Sequence, residues 1–333
     1  MSRFEEMLES FRALGGIAEN IGLGNGLYGR GLFPLDSAKP VTIRIPENLL
    51  LDVADAAFVD GSFRVVPESK IGARERAFLE NYENDFSWGG GGRAEAERIF
   101  TQAHEIPPEL RQKLRDNYHC GPWFEDDVSD HLIQEKFLGS RCITYKNRTV
   151  VMPIIELANH GLGGSYDTAD CVALKGTFPG EVLVRYSLAD SYGLFLSWGF
   201  AGEQPQAMSI ALNGSVGQTA LKIGRDLSDS KPEERVWMPK MIRGAGGLEL
   251  PFLVLGNKQY PRLCKGVFFK LMRDAGLSGF EETFDTIQHI NRMHFLELLA
   301  ALEGVPGSMA QTLRRMARFQ LQAMSFCYGV RAV

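Results

Sequence analysis

Residues 149–212 break into four short apolar runs: TVVMPII (149–155), DCVALK (170–175), EVLVRYS (181–187) and QAMSIAL (206–212). Turns rich in Gly and Pro part them, and no long helical segment stands between one run and the next. That spacing predicts short strands in several small sheets and excludes the long strand–helix alternation of a doubly wound parallel sheet. Upstream, VTIRIP (41–46) alternates apolar and polar residues as a half-buried strand does. Helical spacing marks 2–14, where Phe4, Leu8, Phe11 and Leu14 share a face, and then 71–83, 93–104, the stretch after Pro107-Pro108, and 125–138. From about 258 the pattern is helical to the end, with Ser278-x-x-Glu281 and Ser308-x-x-Gln311 as capping boxes. The glycine-rich stretch 21–35 reads as irregular, and SWGGGG (87–92) as a flexible surface loop. The expected class is α+β: a first domain over 1–215 with a helical insert at about 70–140, then a helical domain over 216–333.

Composition narrows the function classes. With 44% hydrophobic and 23% charged residues among 333, the chain has an ordinary globular balance. No apolar run approaches the roughly 20 residues of a membrane span, and the N-terminus lacks an apolar leader core, so no membrane partner is expected. Five scattered cysteines (120, 142, 171, 264 and 327) form no Cys-x-x-Cys pair, which points away from a disulfide scaffold or cysteine-held metal and towards a reducing, cytoplasmic setting. Net charge is −5, yet residues 258–333 hold ten Lys/Arg against six Asp/Glu. This mildly basic tail reads first as a helical region with solvated arginines and second as a surface suited to an acidic partner, whereas the lack of a dense basic run with interleaved aromatics speaks against nucleic acid.

Several familiar constellations fail on context. The cluster GLGNGLYGRG (22–31) has a helix before it and a strand after it, the reverse of a dinucleotide-binding loop. Gly89–Gly92 lack the Lys-Ser/Thr of a phosphate loop, and no Gly-x-Ser-x-Gly nucleophile elbow exists. His104, His119 and His131 have no ligand-like spacing.

What remains is an ordered series of polar residues: Ser140-Arg141, then VVMPIIELANHG (150–161), Tyr166, GEVLVRYS (180–187) and LSWGF (196–200). With YGRGLFPLDSAKPVTIRIPENLLL at 28–51, this series resembles the SET domain, in the branch typified by the Rubisco large-subunit methyltransferase. That branch carries "vvPmaDliNHs", "GEqvyiqYd" and "ldYGF" in the same order, a helical insert between its halves and a helical domain after them. The resemblance covers nearly the whole chain. It implies an S-adenosylmethionine-dependent protein methyltransferase acting on a lysine, with a protein substrate docked by the C-terminal helices.

Residue by residue, the resemblance implies that Gly29, Arg30, Gly31 and Leu32 hold the cofactor through backbone groups. Arg141 would pair with its carboxylate, and Asn159 and His160 would bind its amino-acid end or adenine. Glu156 occupies the family's aspartate position. Tyr186 falls on the tyrosine nearest the transferred methyl, Tyr166 on a second active-site tyrosine, and Trp198 and Phe200 on the substrate channel. Trp198 stands where the family has a tyrosine, Tyr192 where it has an asparagine, and Tyr28 where it has an acid. These departures leave open a non-lysine acceptor such as histidine, or a SET-like module without transfer activity.

Overall fold

The computed structural model describes residues 2–227, 238–244 and 246–326; Cys327 lies outside them. The chain forms two compact units. The first comprises Met1–Arg98 and Val128–Ser187, the second Ile99–Asp127 and Leu188–Val333.

In the first unit, Val41–Ile45 is the central strand of a three-stranded antiparallel sheet, flanked by Ile17–Glu19 and Val172–Gly176. Its alternation is realised in full: Val41, Ile43 and Ile45 are completely buried, while Arg44 faces solvent. A second sheet orders Leu51–Asp52, Arg148–Val151 and Cys142–Tyr145, and Ala56–Val59 pairs with Ser62–Val65. Helix α1 (Arg3–Ala13) buries Phe4, Leu8 and Phe11 of the expected face, while Leu14 is its half-buried C-cap, and its N-terminus is capped by Ser2 Oγ accepting from Glu5 N–H.

The stretch expected to be irregular is a hairpin, Ile21–Gly26 with Gly29–Pro34, joined by exposed Leu27 and Tyr28. Glycine is required at Gly31, where a Cβ would come within 2.4 Å of Glu181 Oε1 and 2.7 Å of Asn159 Nδ2. The small residues thus mark close approach of another segment, a signal that propensity alone reads as disorder.

The insert is helical as expected, with α2 (Ala73–Phe86), α3 (Arg93–His104), α4 (Pro108–Asp116) and α5 (Asp130–Arg141). SWGGGG, however, is no loose loop. Residues Trp88–Gly92 make a wide helical turn between α2 and α3, with Trp88 and Gly92 buried. Trp88 packs 4.5 Å from the Phe58 ring and 4.9 Å from that of Phe137, and its indole N–H donates to Gly61 O at 2.8 Å. A Cβ on Gly89 would lie 2.0 Å from Asn84 O, and one on Gly92 would lie 2.5 Å from the Phe137 ring. Here glycine supplies tight backbone packing.

The second unit departs from an all-helical expectation. Residues 212–257 hold strands: Leu212–Val216, Thr219–Ile223, Gly247–Leu250 and Ile242–Gly244 form a four-stranded sheet, and Val254–Asn257 pairs with Gln206–Met208. The unit also takes in residues 99–127 of the insert, so the expected boundary at 215 is not where compactness divides the chain. Helices α6 (Ser191–Trp198), α7 (Leu263–Asp274), α8 (Thr283–Ala301) and α9 (Ser308–Ser325) complete it. The two capping boxes are not the caps used: α8 begins after Glu282 and α9 after Gly307, neither with a side-chain cap bond. A buried polar network ties the unit together. Asp190 accepts from Gly193 N–H and Met208 N–H, both at 2.8 Å, and is paired with Arg225. No helix of the described residues is long and apolar enough to cross a membrane.

Gly89→Ala should destabilise the protein by about 1–3 kcal/mol through overpacking. Gly180→Ala, at an exposed position with nothing within 4 Å, should stay within about 0.5 kcal/mol of the parent. Thermal melts of both variants decide it, and equal melting temperatures would contradict the packing role.

Candidate functional site

The site is built on the segment that follows the strand Arg148–Val151. Instead of continuing, the chain turns sharply at Ile154, which has φ 69° and ψ −58° and lets Ile155 N–H donate to Pro153 O at 2.9 Å. A β-branched residue in this region is strained, and such strain persists only where the surroundings over-determine it. A 3-10 turn, Ile155–Leu157, then delivers Glu156 inward, and Asn159–His160 pair in parallel with Leu183–Val184.

Glu156 is the clamp. Its side chain is 1% exposed and lies between Tyr82, whose hydroxyl donates to Oε1 at 2.5 Å, and Arg141, whose Nε is 3.1 Å from Oε2. Arg141 is held on several sides: Nη1 donates to Ser140 Oγ at 2.8 Å, Nη2 reaches Glu95 at 3.3 Å and the guanidinium sits 4.5 Å over the Phe137 ring, while Nε faces Glu156 as an ion pair without hydrogen-bonding geometry. A second carboxyl, Glu83, is equally buried, and neither of its oxygens meets a donor in hydrogen-bonding geometry. Burial, and then the Glu156 charge, push Glu83 up to about 8, so it stays protonated at neutral pH.

The expected residues of the hairpin and of the Asn159–Tyr186 stretch are tied to one another within the first unit. Asn159 Nδ2 donates to Arg30 O at 3.1 Å and to Glu181 Oε1 at 2.5 Å, holding the hairpin against the Asn-His segment. Leu32 O accepts from Val182 N–H at 2.8 Å, a second tie. Arg30 donates to Phe86 O at 2.6 Å at the end of α2. Gly29 has φ 91°, which opens the hairpin's return strand. His160 Nδ1 accepts from Tyr186 N–H at 3.3 Å, so its proton resides on Nε2; burial and then Arg185 bring its pKa down to about 4. The Tyr186 hydroxyl donates to Ala158 O at 2.9 Å, and the two rings stand 5.3 Å apart edge to face. Burial raises the Tyr186 phenol, with Arg141 opposing. Tyr166 is raised by burial first and then by Tyr186 and Glu156, which places all three within electrostatic reach.

Trp198 and Phe200 belong to the second unit, at the end of α6 around Gly199 (φ 72°). Tyr192 is there too, its hydroxyl spent on the carbonyls of Tyr118 (2.8 Å) and His119 (3.1 Å), a packing role. Sequence reasoning passed over Tyr82, Glu83 and Glu95, and gave Glu181, within GEVLVRYS, no role of its own. A signal existed for Glu83: it shares the apolar face of Leu79, Tyr82 and Phe86, where a carboxylate has no reason to lie unless the interior is polar. No group of three or more His, Cys, Asp or Glu among the described residues could hold a metal ion.

The folded protein holds the Glu83 proton more tightly than the unfolded chain, so this group's contribution to stability declines as pH climbs from about 4.5 to about 8. Glu83→Gln should therefore raise the melting temperature at pH 9 and leave it nearly unchanged at pH 4.5. Melts across that range measure it, and a shift that did not depend on pH would show that Glu83 is not a buried neutral acid.

No family model matches this chain, and no curated protein does. Among solved structures it is similar to the SET domain of LSMT bound to lysine and AdoHcy, with 15% identity, a TM-score of 0.44, and 99% of this chain and 91% of that one covered. It is similar also to Rubisco LSMT bound to AdoMet (13% identity, TM-score 0.42, 97% and 91% covered). A third is Rubisco LSMT bound to sinefungin and monomethyllysine, with 15% identity, TM-score 0.41, and 97% and 90% covered.

Proposed function

We propose that this chain is a SET-type, S-adenosylmethionine-dependent protein methyltransferase whose acceptor is a lysine side chain. One observation carries the reading. Asn159 bonds across 129 residues to Arg30 of the hairpin, and beside it His160 bonds Tyr186, so that motifs scattered through the sequence converge in one cluster.

The residues present suit the cofactor. It brings a carboxylate, and Arg141 Nε is a buried donor that meets no acceptor in hydrogen-bonding geometry. Gly29 to Leu32 would hold it through the backbone, with Asn159 and His160 beside them. Arg141 would meet its carboxylate by exchanging Glu95, whose side chain is 56% exposed. Glu156 would keep the guanidinium aimed. When bound, the cofactor supplies an electrophilic methyl group.

The chain's own part is positioning. Its tyrosines stay protonated, and His160 spends Nδ1 on Tyr186 N–H, so none of them is arranged as a general base. With its proton given to Ala158 O, Tyr186 presents oxygen lone pairs that can accept from an amine N–H and so aim the amine's own lone pair. A lysine has pKa near 10.4 in water, and transfer to an apolar surrounding lowers it towards the neutral, nucleophilic form. Effective molarity then supplies most of the rate. The protein substrate would be docked by the C-terminal helices, whose charge balance suits an acidic surface.

A second reading, a SET-like binding module without transfer, draws on the pairing of Arg141 with Glu95 and Glu156 and on Trp198 in place of a hydroxyl. S-adenosylhomocysteine at about 100 times its dissociation constant should stabilise an enzyme by roughly 2.7 kcal/mol and raise its melting temperature by several degrees. Asn159→Ala should shrink that shift. Tyr186→Phe should keep the shift while cutting methyl transfer roughly a hundredfold. A well-folded protein with no shift would support the binding module instead.

A further inference from the structure

Helix α9 carries Arg314, Arg315 and Arg318 and no acidic residue. Like charges three and four residues apart repel along a helix, so such a cluster normally sits beside carboxylates. Among the described residues none comes within 4.0 Å of these three guanidiniums. Arg314 is nevertheless fixed: its Nη1 donates to Leu302 O at 2.8 Å and to Val305 O at 2.9 Å, capping the end of α8. The three arginines, with Phe319, line an open recess of about 290 Å³. A second recess of about 540 Å³ shares Arg314 and Arg318 and runs on to Ala300 and Glu303 of the α8 end, Glu303 being the single carboxylate lining either one.

Ala300 also ends a row of apolar side chains left in solvent. Ile290, Met293 and Leu296, each 40–44% exposed, step along one side of α8 towards it. A helix normally turns such a row inward, and α8 already buries Phe284, Ile287, Phe295 and Leu298 on its other side.

We infer that the arginine recess and the apolar row of α8 form one docking surface for an acidic amphipathic segment of a partner protein. The apolar residues of that segment would cover Met293 and Leu296, and its carboxylates would enter the recess, where a pre-fixed guanidinium offers the geometry for paired hydrogen bonds. The three arginines favour an acidic segment over a basic one, against Glu303 at the recess and exposed Glu297 next to Leu296 on α8. This names the chemistry of the docking partner proposed above. Its test measures binding without methyl transfer, so the two readings fail separately.

The probe is a fluorescent synthetic helix with leucines along one face and glutamates along the other, titrated with the full chain and followed by anisotropy. Saturable binding is expected, weakening as salt is raised. The R315E/R318E double variant should weaken it at least about tenfold, and M293S/L296S should also weaken it, with melting temperatures unchanged because all four side chains are exposed. A peptide with lysine in place of glutamate should not bind. The proposal is overturned if the parent protein does not bind the acidic helix, if either double variant binds it equally well, or if a single-stranded oligonucleotide of equal charge binds more tightly through Arg315 and Arg318.

Discussion

Burying one carboxylate organises everything around the candidate site. Removing a charge from water costs several kcal/mol even after relaxation, so Glu156 is tolerable only where donors and a cation surround it. Tyr82 on α2 and Arg141 at the end of α5 meet that need, and they come from the two ends of the helical insert's share of the first unit. The insert is therefore part of the site. Its helices are fastened to the segment that carries Asn159 and His160, and the strain at Ile154 is held in place by the same clamp.

How far the sequence could be read depended on the scale of the signal. Periodicity exposed the strand Val41–Ile45, the α1 face and the insert helices, because each buries a face that local spacing reveals. Glycine-rich stretches were opaque. Gly31 and Gly89 are there because another part of the chain comes too close for a Cβ, and the partners are Glu181 and Asn159, well over a hundred positions from Gly31, but Asn84, in the preceding turn, for Gly89. The strands between 212 and 257 are only three to five residues long, so the alternation that Thr219–Ile223 and Gly247–Leu250 do show is too brief to stand out beside the helical pattern that follows.

The site was legible as a list of residues and illegible as a set of bonds. Asn159, His160 and Tyr186 could be picked out by order, yet nothing local says that Asn159 would choose Arg30 O and Glu181, or that Arg141 would be shared by Glu156 and Glu95. Partner choice is a property of the tertiary structure. The same holds for Glu83, which is charged on paper and held neutral by burial and a like-charged neighbour.

The clamp also has a kinetic side. Tyr82 meets Glu156 across 74 residues, and Asn159 meets Arg30 across 129. Closing loops of such length costs chain entropy that no local contact repays in advance, so the hairpin and helices can form early while the Asn-His segment waits for both ends to be in place. The strained turn at Ile154 gains nothing until Glu156 is seated. The candidate site thus shares its dependence on distant ties with the central sheet, where Val41–Ile45 pairs with Val172–Gly176 across more than 120 residues, and neither closes until the two halves of the first unit meet.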